Sequence, residues 1–255
     1  MKRTPHRISI RTNDKSVRDI LKMKGDYRTT VSRSRSLHAV LPSGSWKGQR
    51  CFIAGGGPSL KGFDFSRLEG NRVIAINRAF LDCPFADLMF FMDKRRFYRW
   101  VMDGDLGDVT KQAFINFKGH KVFLYQNYAI PDVKYIPRAG QKGIPVSLED
   151  GIYHGAHSGY GALQIALCLQ ASPIYLLGYD FKYDVDQEGQ DVANYHGAYP
   201  RNEPEGSVFS FMKGLIELSV SLAASGHPAR IINLNPDSGL RCFQFGDIEE
   251  VLKNG

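Results

Sequence analysis

Short, unbroken apolar runs recur along this chain from Gln49 onward, and each stops at a glycine or a polar residue. Arg50 to Ala54, Val73 to Asn77, Leu88 to Met92, Lys121 to Tyr125, Ile174 to Leu177 and Arg230 to Leu234 have the length of strands. Helical spacing appears between them over Ser158 to Gln170, where Ala162, Ile165, Ala166 and Leu169 share one side, and over Val208 to Ala224. A strand that is apolar on both faces needs cover above and below. The alternation therefore predicts an α/β fold, a Rossmann-like and mostly parallel sheet with helices on both faces. Two stretches break the rhythm: a Gly-, Pro- and Tyr-rich region before Ser158, and a polar, loop-like one over residues 182 to 206.

In such sheets ligands bind beyond the carboxyl ends of the strands. Five polar groups fall there: Gly55-Gly56-Gly57-Pro58-Ser59, Asn77-Arg78, Asp93, Gly178-Tyr179-Asp180, and Asn233 with Asn235. The first is the most suggestive. Three glycines permit close backbone approach, and the amides of the turn and of a following helix can face an anion such as a nucleotide phosphate. A bare strand-to-loop turn is the alternative, and strand-end Asn and Asp also commonly cap the next helix. The turn is not a P-loop, since no Gly-Lys-Ser/Thr follows, and it is not GxGxxG, since the third glycine would fall at Leu60. Kinase-type ATP hydrolysis and dinucleotide-dependent oxidoreduction both lose ground.

Charge divides the chain. Residues 1 to 47 carry 12 Lys and Arg against 3 Asp, leaving 21 basic and 23 acidic groups for residues 48 to 255. A basic N-terminal extension over 1–47 and a nucleotide-binding α/β transferase domain over 48–255 are expected. Such an arm can meet nucleic acid through charge alone, or it can be a solvated tail. Arg28 to Leu37, with three arginines and five hydroxyl residues, reads as poorly packed. Cys51, Cys83, Cys168 and Cys242 are widely separated and form no CxxC pair, which argues against zinc and a disulfide framework, so no metal site is expected from them. No apolar run approaches the roughly 20 residues of a membrane span, and the N-terminus has no signal-peptide core. A cytoplasmic location is expected.

The string Ala54-Gly55-Gly56-Gly57-Pro58-Ser59-Leu60-Lys61, followed by Phe63-Asp64-Phe65-Ser66-Arg67-Leu68, resembles the opening of the family 42 bacterial sialyltransferases, where a G-x-G-P-S-L turn and an asparagine-bearing second strand hold a CMP-sugar. A second block, His157-Ser158-Gly159-Tyr160-Gly161-Ala162 and then Ile174 to Phe181, resembles that family's S-G helix start and G-x-D-F strand end. The same pieces occur in the related group of motility-accessory glycosyltransferases, archaeal 6-hydroxymethylpterin pyrophosphokinase and phage-encoded proteins. The resemblance covers roughly residues 50 to 240. It implies a variant of the type A glycosyltransferase fold and a nucleotide-sugar donor, CMP-sugar-like, with no obligatory metal. Gly55, Gly56, Gly57, Pro58 and Ser59 would form the phosphate or ribose turn. Asn77, Ser158 and Gly159 would contact the nucleotide, with Arg78, Asp93 and Asp180 bordering it. Gly56 stands where the sialyltransferases have an asparagine, which leaves the donor's identity open.

The resemblance also implies a general base in the polar loop, and His196 in Asn194-Tyr195-His196-Gly197 is the best match. A neutral imidazole can take the proton of an attacking hydroxyl. His154 and His157 compete, although His157 precedes a helix start and suits a cap. The family stabilises the departing phosphate with tyrosine hydroxyls after the G-x-D-F strand. Here Lys182 follows Phe181 and Tyr183 comes next, so that role is open between them, with Tyr195, Tyr199 and Arg201 as lesser candidates. The acceptor is a hydroxyl, on a glycan or a modified DNA base. Two rival readings stand beside this one. A pterin-type pyrophosphokinase would use Mg²⁺ at Asp184-Val185-Asp186 or Asp103-Gly104-Asp105, the latter more in keeping with a turn. A DNA-directed module would act through the basic arm.

Overall fold

A computed structural model describes residues 35–92, 100–124, 132–182, 184–185, 191–192, 194–196 and 208–253 of the chain. The first half gives β1 (Cys51–Ala54), β2 (Arg72–Ile76), β3 (Leu88–Phe91), α1 (Asp108–Asn116), β4 (His120–Leu124) and β5 (Val133–Ile136). Two short strands follow, β6 (Arg138–Gly140) and β7 (Ile152–Tyr153), and then α2 (Ser158–Cys168) and β8 (Ile174–Leu177). The chain closes with β9 (Asp184–Val185), β10 (Asp191–Val192), α3 (Val208–Ala224), β11 (Ile231–Asn233), β12 (Gln244–Phe245) and α4 (Ile248–Lys253). Eight strands form one sheet in the order β12-β11-β8-β1-β2-β3-β4-β5, and every neighbouring pair in it is parallel. The α/β class read from the apolar runs is the observed one.

The strands are buried because both faces are covered. On one face α2 and α3 meet Ile53, Ile74, Phe90 and Leu176. On the other, Phe80, Phe91, Phe114, Phe117 and Phe123 form an aromatic layer with edge-on and tilted contacts. Burying aromatic rings removes a large apolar area from water, and edge-to-face pairing adds to it.

From β1 the order runs one way through β2 to β5 and the other way through β8 to β12. The switch point therefore lies between β1 and β8, where the glycine turn meets Gly178-Tyr179-Asp180. No α-helix follows the glycine turn. Two 3₁₀ turns, Pro58–Leu60 and Phe65–Leu68, carry the chain to β2, with Gly62 between them at a φ of +78° that ends any helical run.

β5 and α1 were not visible as apolar runs. Lys134 interrupts the first, which lies between Pro131 and Pro137, and α1 has only two buried side chains, Thr110 and Phe114. Residues 35 to 47, grouped by charge with a basic extension, belong to the body. Leu37 is 0 % and Trp46 1 % exposed, Ser36 bridges Tyr135 beyond the β5 edge, and the amides of Gly44 and Trp46 donate to the carbonyls of Cys168 and Leu169 at the end of α2. Residues 1 to 34 lie outside the described residues. Cys51, Cys83 and Cys168 are buried free thiols, and burial pushes all three up from the ordinary thiol range. Among the described residues no helix is long and apolar enough to cross a membrane.

Candidate active site

The glycine turn is shaped by β8 as much as by its own sequence. The amide of Gly55 donates to Leu177 O and that of Gly57 to Gly178 O, continuing the β1–β8 ladder past the end of the sheet. Ser59 donates its amide (2.7 Å) and hydroxyl (2.6 Å) to the two carboxylate oxygens of Asp180. Asn235 adds a third donor to Asp180 at 2.7 Å. Asp180 is 2 % exposed. A carboxylate of the protein thus occupies the place over the Pro58–Leu60 turn where an external anion was expected, and the amides of Gly55, Gly57 and Ser59 face protein.

This packing requires glycine at position 57. A Cβ there would lie 2.5 Å from Asp180 Cγ and 2.6 Å from Gly178 O, so neither backbone nor carboxylate leaves room. Asn233 and Asn235 belong to the same support. Asn233 donates to Tyr179 O, and Ser238 donates to Tyr179 O and Asp180 O. Their polar atoms hold the end of β8 in place, and both asparagines are buried.

Gly56 has a different neighbour. A Cβ on it would stand 2.8 Å from Asn194 Oδ1 and 3.6 Å from His196 Nε2. The segment Asn194 to His196 is docked onto the turn by Tyr195, whose amide donates to Gly56 O at 2.9 Å. The Tyr195 hydroxyl donates to Asp82 at 2.7 Å, its ring lies 5.5 Å from Phe65, and Arg78 Nη1 reaches His196 O at 3.5 Å. The structure therefore brings His196 to the turn, some 140 residues along the chain, through contacts that sequence spacing does not encode. Asp82 carried no signal of its own in the sequence.

Asn77 and Ser158 close the other side. Asn77 has a φ of 52°, a left-handed conformation that Asn tolerates better than most residues and that recurs at functional sites. The Ser158 hydroxyl at the start of α2 lies 3.4 Å from Asn77 Oδ1 and accepts from the Met92 amide at 3.4 Å. Gly159 O accepts the Tyr179 hydroxyl. Phe181, next to Asp180, is a second left-handed residue, with φ 47°.

His157 is the N-cap of α2, its Nδ1 accepting from the Tyr160 amide at 3.3 Å. Burial lowers its pKa to about 4, weakly opposed by the backbone of Phe211. Its Nε2 has no partner of ordinary hydrogen-bond geometry among the described residues, and its ring packs near Phe181 and Phe211. It is a neutral structural cap. His154 is tied to Arg138 and to the Ala156 amide, and burial, then Arg138, lowers its pKa.

Lys182 is exposed beyond Asp180. Tyr183, Asp93, Tyr199 and Arg201 lie outside the described residues, as do Asp186 and the side chain of Asp184. Asp103 and Asp105 flank Gly104 in a turn, with φ +84° at the glycine. Among the described residues no three His, Cys, Asp or Glu side chains are grouped to hold a metal ion.

No family model matches the chain, and no curated protein matches it. Among solved structures, the monofunctional α-2,3-sialyltransferase Cst-I of Campylobacter jejuni is similar at 19 % identity and a TM-score of 0.44, over 77 % of this chain and 79 % of that one.

Proposed function

We propose that the chain is a glycosyltransferase that moves a sugar from a nucleotide-activated, CMP-sugar-like donor to a hydroxyl acceptor, with His196 as general base. The docking of Asn194 to His196 on Gly56 carries this reading. It sets an imidazole beside the carboxyl ends of β1 and β2, at the edge of the sheet where α/β folds bind ligands. Asn77 and Ser158 line the same edge and offer polar groups to a nucleotide.

In the reaction the acceptor oxygen attacks the anomeric carbon as His196 takes its proton. The bond from that carbon to the donor phosphate breaks, and the electron pair leaves with the nucleotide. A base placed against the acceptor contributes about 10²–10⁴-fold. Charge gathers on the departing phosphate and calls for a cation or donor close by. Lys182 and Tyr183 follow the end of β8 and are the residues read for that role from the sequence. The acceptor class includes glycans and hydroxyl-bearing DNA bases.

Thermal shifts with CMP, UDP, GDP and ATP test the donor class, since a ligand that binds only the native state raises the melting temperature. A shift with one of them is expected. His196→Ala should then retain the shift and lose about 10²–10⁴ in transfer rate, measured as nucleotide release from the matching nucleotide sugar. Near wild-type transfer by that variant would remove His196 as the base.

A further inference from the structure

We infer that Arg78 holds the phosphate of the donor and receives the charge of the leaving nucleotide. The inference rests on the nucleotide-donor reading above and assigns within it the group that Lys182 and Tyr183 were expected to supply.

The glycine turn is a poor cradle for that phosphate. Its Gly55, Gly57 and Ser59 amides donate to protein acceptors, and the Asp180 carboxylate already stands over its far end, at Gly57 and Ser59. A second anion there would meet a like charge with no donor left between them. Arg78 lies on the other side of Gly56, in the 3₁₀ turn Asn77–Leu81 that leaves the carboxyl end of β2.

Its guanidinium is under-satisfied. Nε is buried with no hydrogen-bond partner among the described residues. The Nη1 contact to His196 O is 3.5 Å, the outer limit of a hydrogen bond. A guanidinium keeps its proton and presents five N–H donors in a rigid fork. Leaving such a donor buried and unpaired is costly, and an acceptor from outside would relieve that cost. The acceptor that matches the fork in shape and charge is a phosphate, taken by two parallel N–H···O bonds.

The placement fits the chemistry. Arg78 follows Asn77, whose side chain meets Ser158 at the start of α2. It also touches the backbone of His196, the base of the proposed reaction. One cation therefore adjoins both the nucleotide edge of the site and the residue that activates the acceptor.

The test compares nucleotide with nucleoside. Calorimetric titration of the full chain with CMP and cytidine, or with UDP, GDP or ATP and its nucleoside where that nucleotide gives the wild-type shift, is repeated on Arg78→Gln and Arg78→Lys. Arg78→Gln should weaken nucleotide binding about 10- to 100-fold and leave nucleoside binding unchanged, with a shallower salt dependence for the nucleotide. Arg78→Lys, which keeps the charge without the fork, should recover part of the loss. The ratio of the two affinities within each variant is read from folded protein, so a change in stability does not mimic the result. Unchanged nucleotide affinity in Arg78→Gln overturns the inference and leaves the transferase reading standing. Equal loss of nucleotide and nucleoside also overturns it, making Arg78 a support of the 194–196 segment. Failure of the wild type to bind any of the four nucleotides removes the reading on which it rests.

Discussion

The two sides of the glycine turn are built to opposite standards. Toward β8, the Asp180 carboxylate is saturated: it accepts from Ser59 twice and from Asn235, and Gly57 fits against it without room for a methyl group. Toward β2, Arg78 has a buried Nε without a described partner, Asn77 holds a left-handed backbone, and the partly buried 194–196 segment rests on Gly56 through a backbone hydrogen bond from Tyr195. A saturated network is rigid, and its cost of formation is met within the protein. An unsaturated one keeps donors for something else. The topological switch point between β1 and β8, where an open α/β sheet usually binds its ligand, is here occupied by the Asp180 carboxylate, and the 194–196 segment rests on the turn on its other side.

Asp180→Ala should give the largest effect. It leaves the Ser59 amide and hydroxyl and the Asn235 amide without their acceptor, at a cost of about 4 kcal/mol. Denaturant unfolding checks it, and a loss below about 1 kcal/mol would show that the saturated side is not the rigid one. Next, Gly57→Ala should cost about 3 kcal/mol, because the new methyl group meets backbone and a fixed carboxylate. Nearly equal to it is an acid effect at His157. The folded state holds this imidazole neutral, with its pKa lowered to about 4, so the unfolded chain binds the extra proton first as pH falls below about 6.5. Stability is complete above that pH and declines toward pH 4, by at most about 3 kcal/mol. His157→Asn retains an N-cap acceptor without the titration and should flatten that decline. An unchanged acid slope would break the assignment. The smallest stability change is expected one residue from the second largest. The methyl group of Gly56→Ala crowds only the Asn194 side chain, at 2.8 Å, with His196 Nε2 at an ordinary 3.6 Å, and should cost under about 1 kcal/mol. It should nevertheless slow transfer about 10- to 100-fold by shifting the segment that carries His196. Similar stability losses for the two glycine variants would erase the contrast between the sides.

Much of the sheet was legible in the chain. Strand positions for β1, β2, β3, β4, β8 and β11 follow from apolar runs whose ends shift by one residue or less from the observed limits. β5 was hidden because Lys134 sits in a four-residue strand at the sheet edge, where only alternate side chains need be apolar. The body's beginning was hidden for a related reason. Leu37 and Trp46 are single apolar residues in a basic, hydroxyl-rich context, and two anchors leave no periodic trace. The strand-end rule gathered Gly55 to Ser59, Asn77, Asp180, Asn233 and Asn235 to one edge of the sheet, and the structure places them there. It could not say that Asn235 and Ser59 serve Asp180, or that Tyr195 seeks Asp82.

Sequence alone determined the class of sheet, its mostly parallel strands and the edge at which its polar residues collect, because these follow from local runs of burial and from turns encoded within a few residues. Tertiary structure decided which of those polar groups are already used. Ser59 and Asp180 are 121 positions apart, Tyr195 and Asp82 are 113 apart, and Arg78 and His196 are 118 apart. Whether a donor is satisfied depends on what folding brings within about 3 Å of it, and that distance is set by the packing of strands and loops, not by their order along the chain.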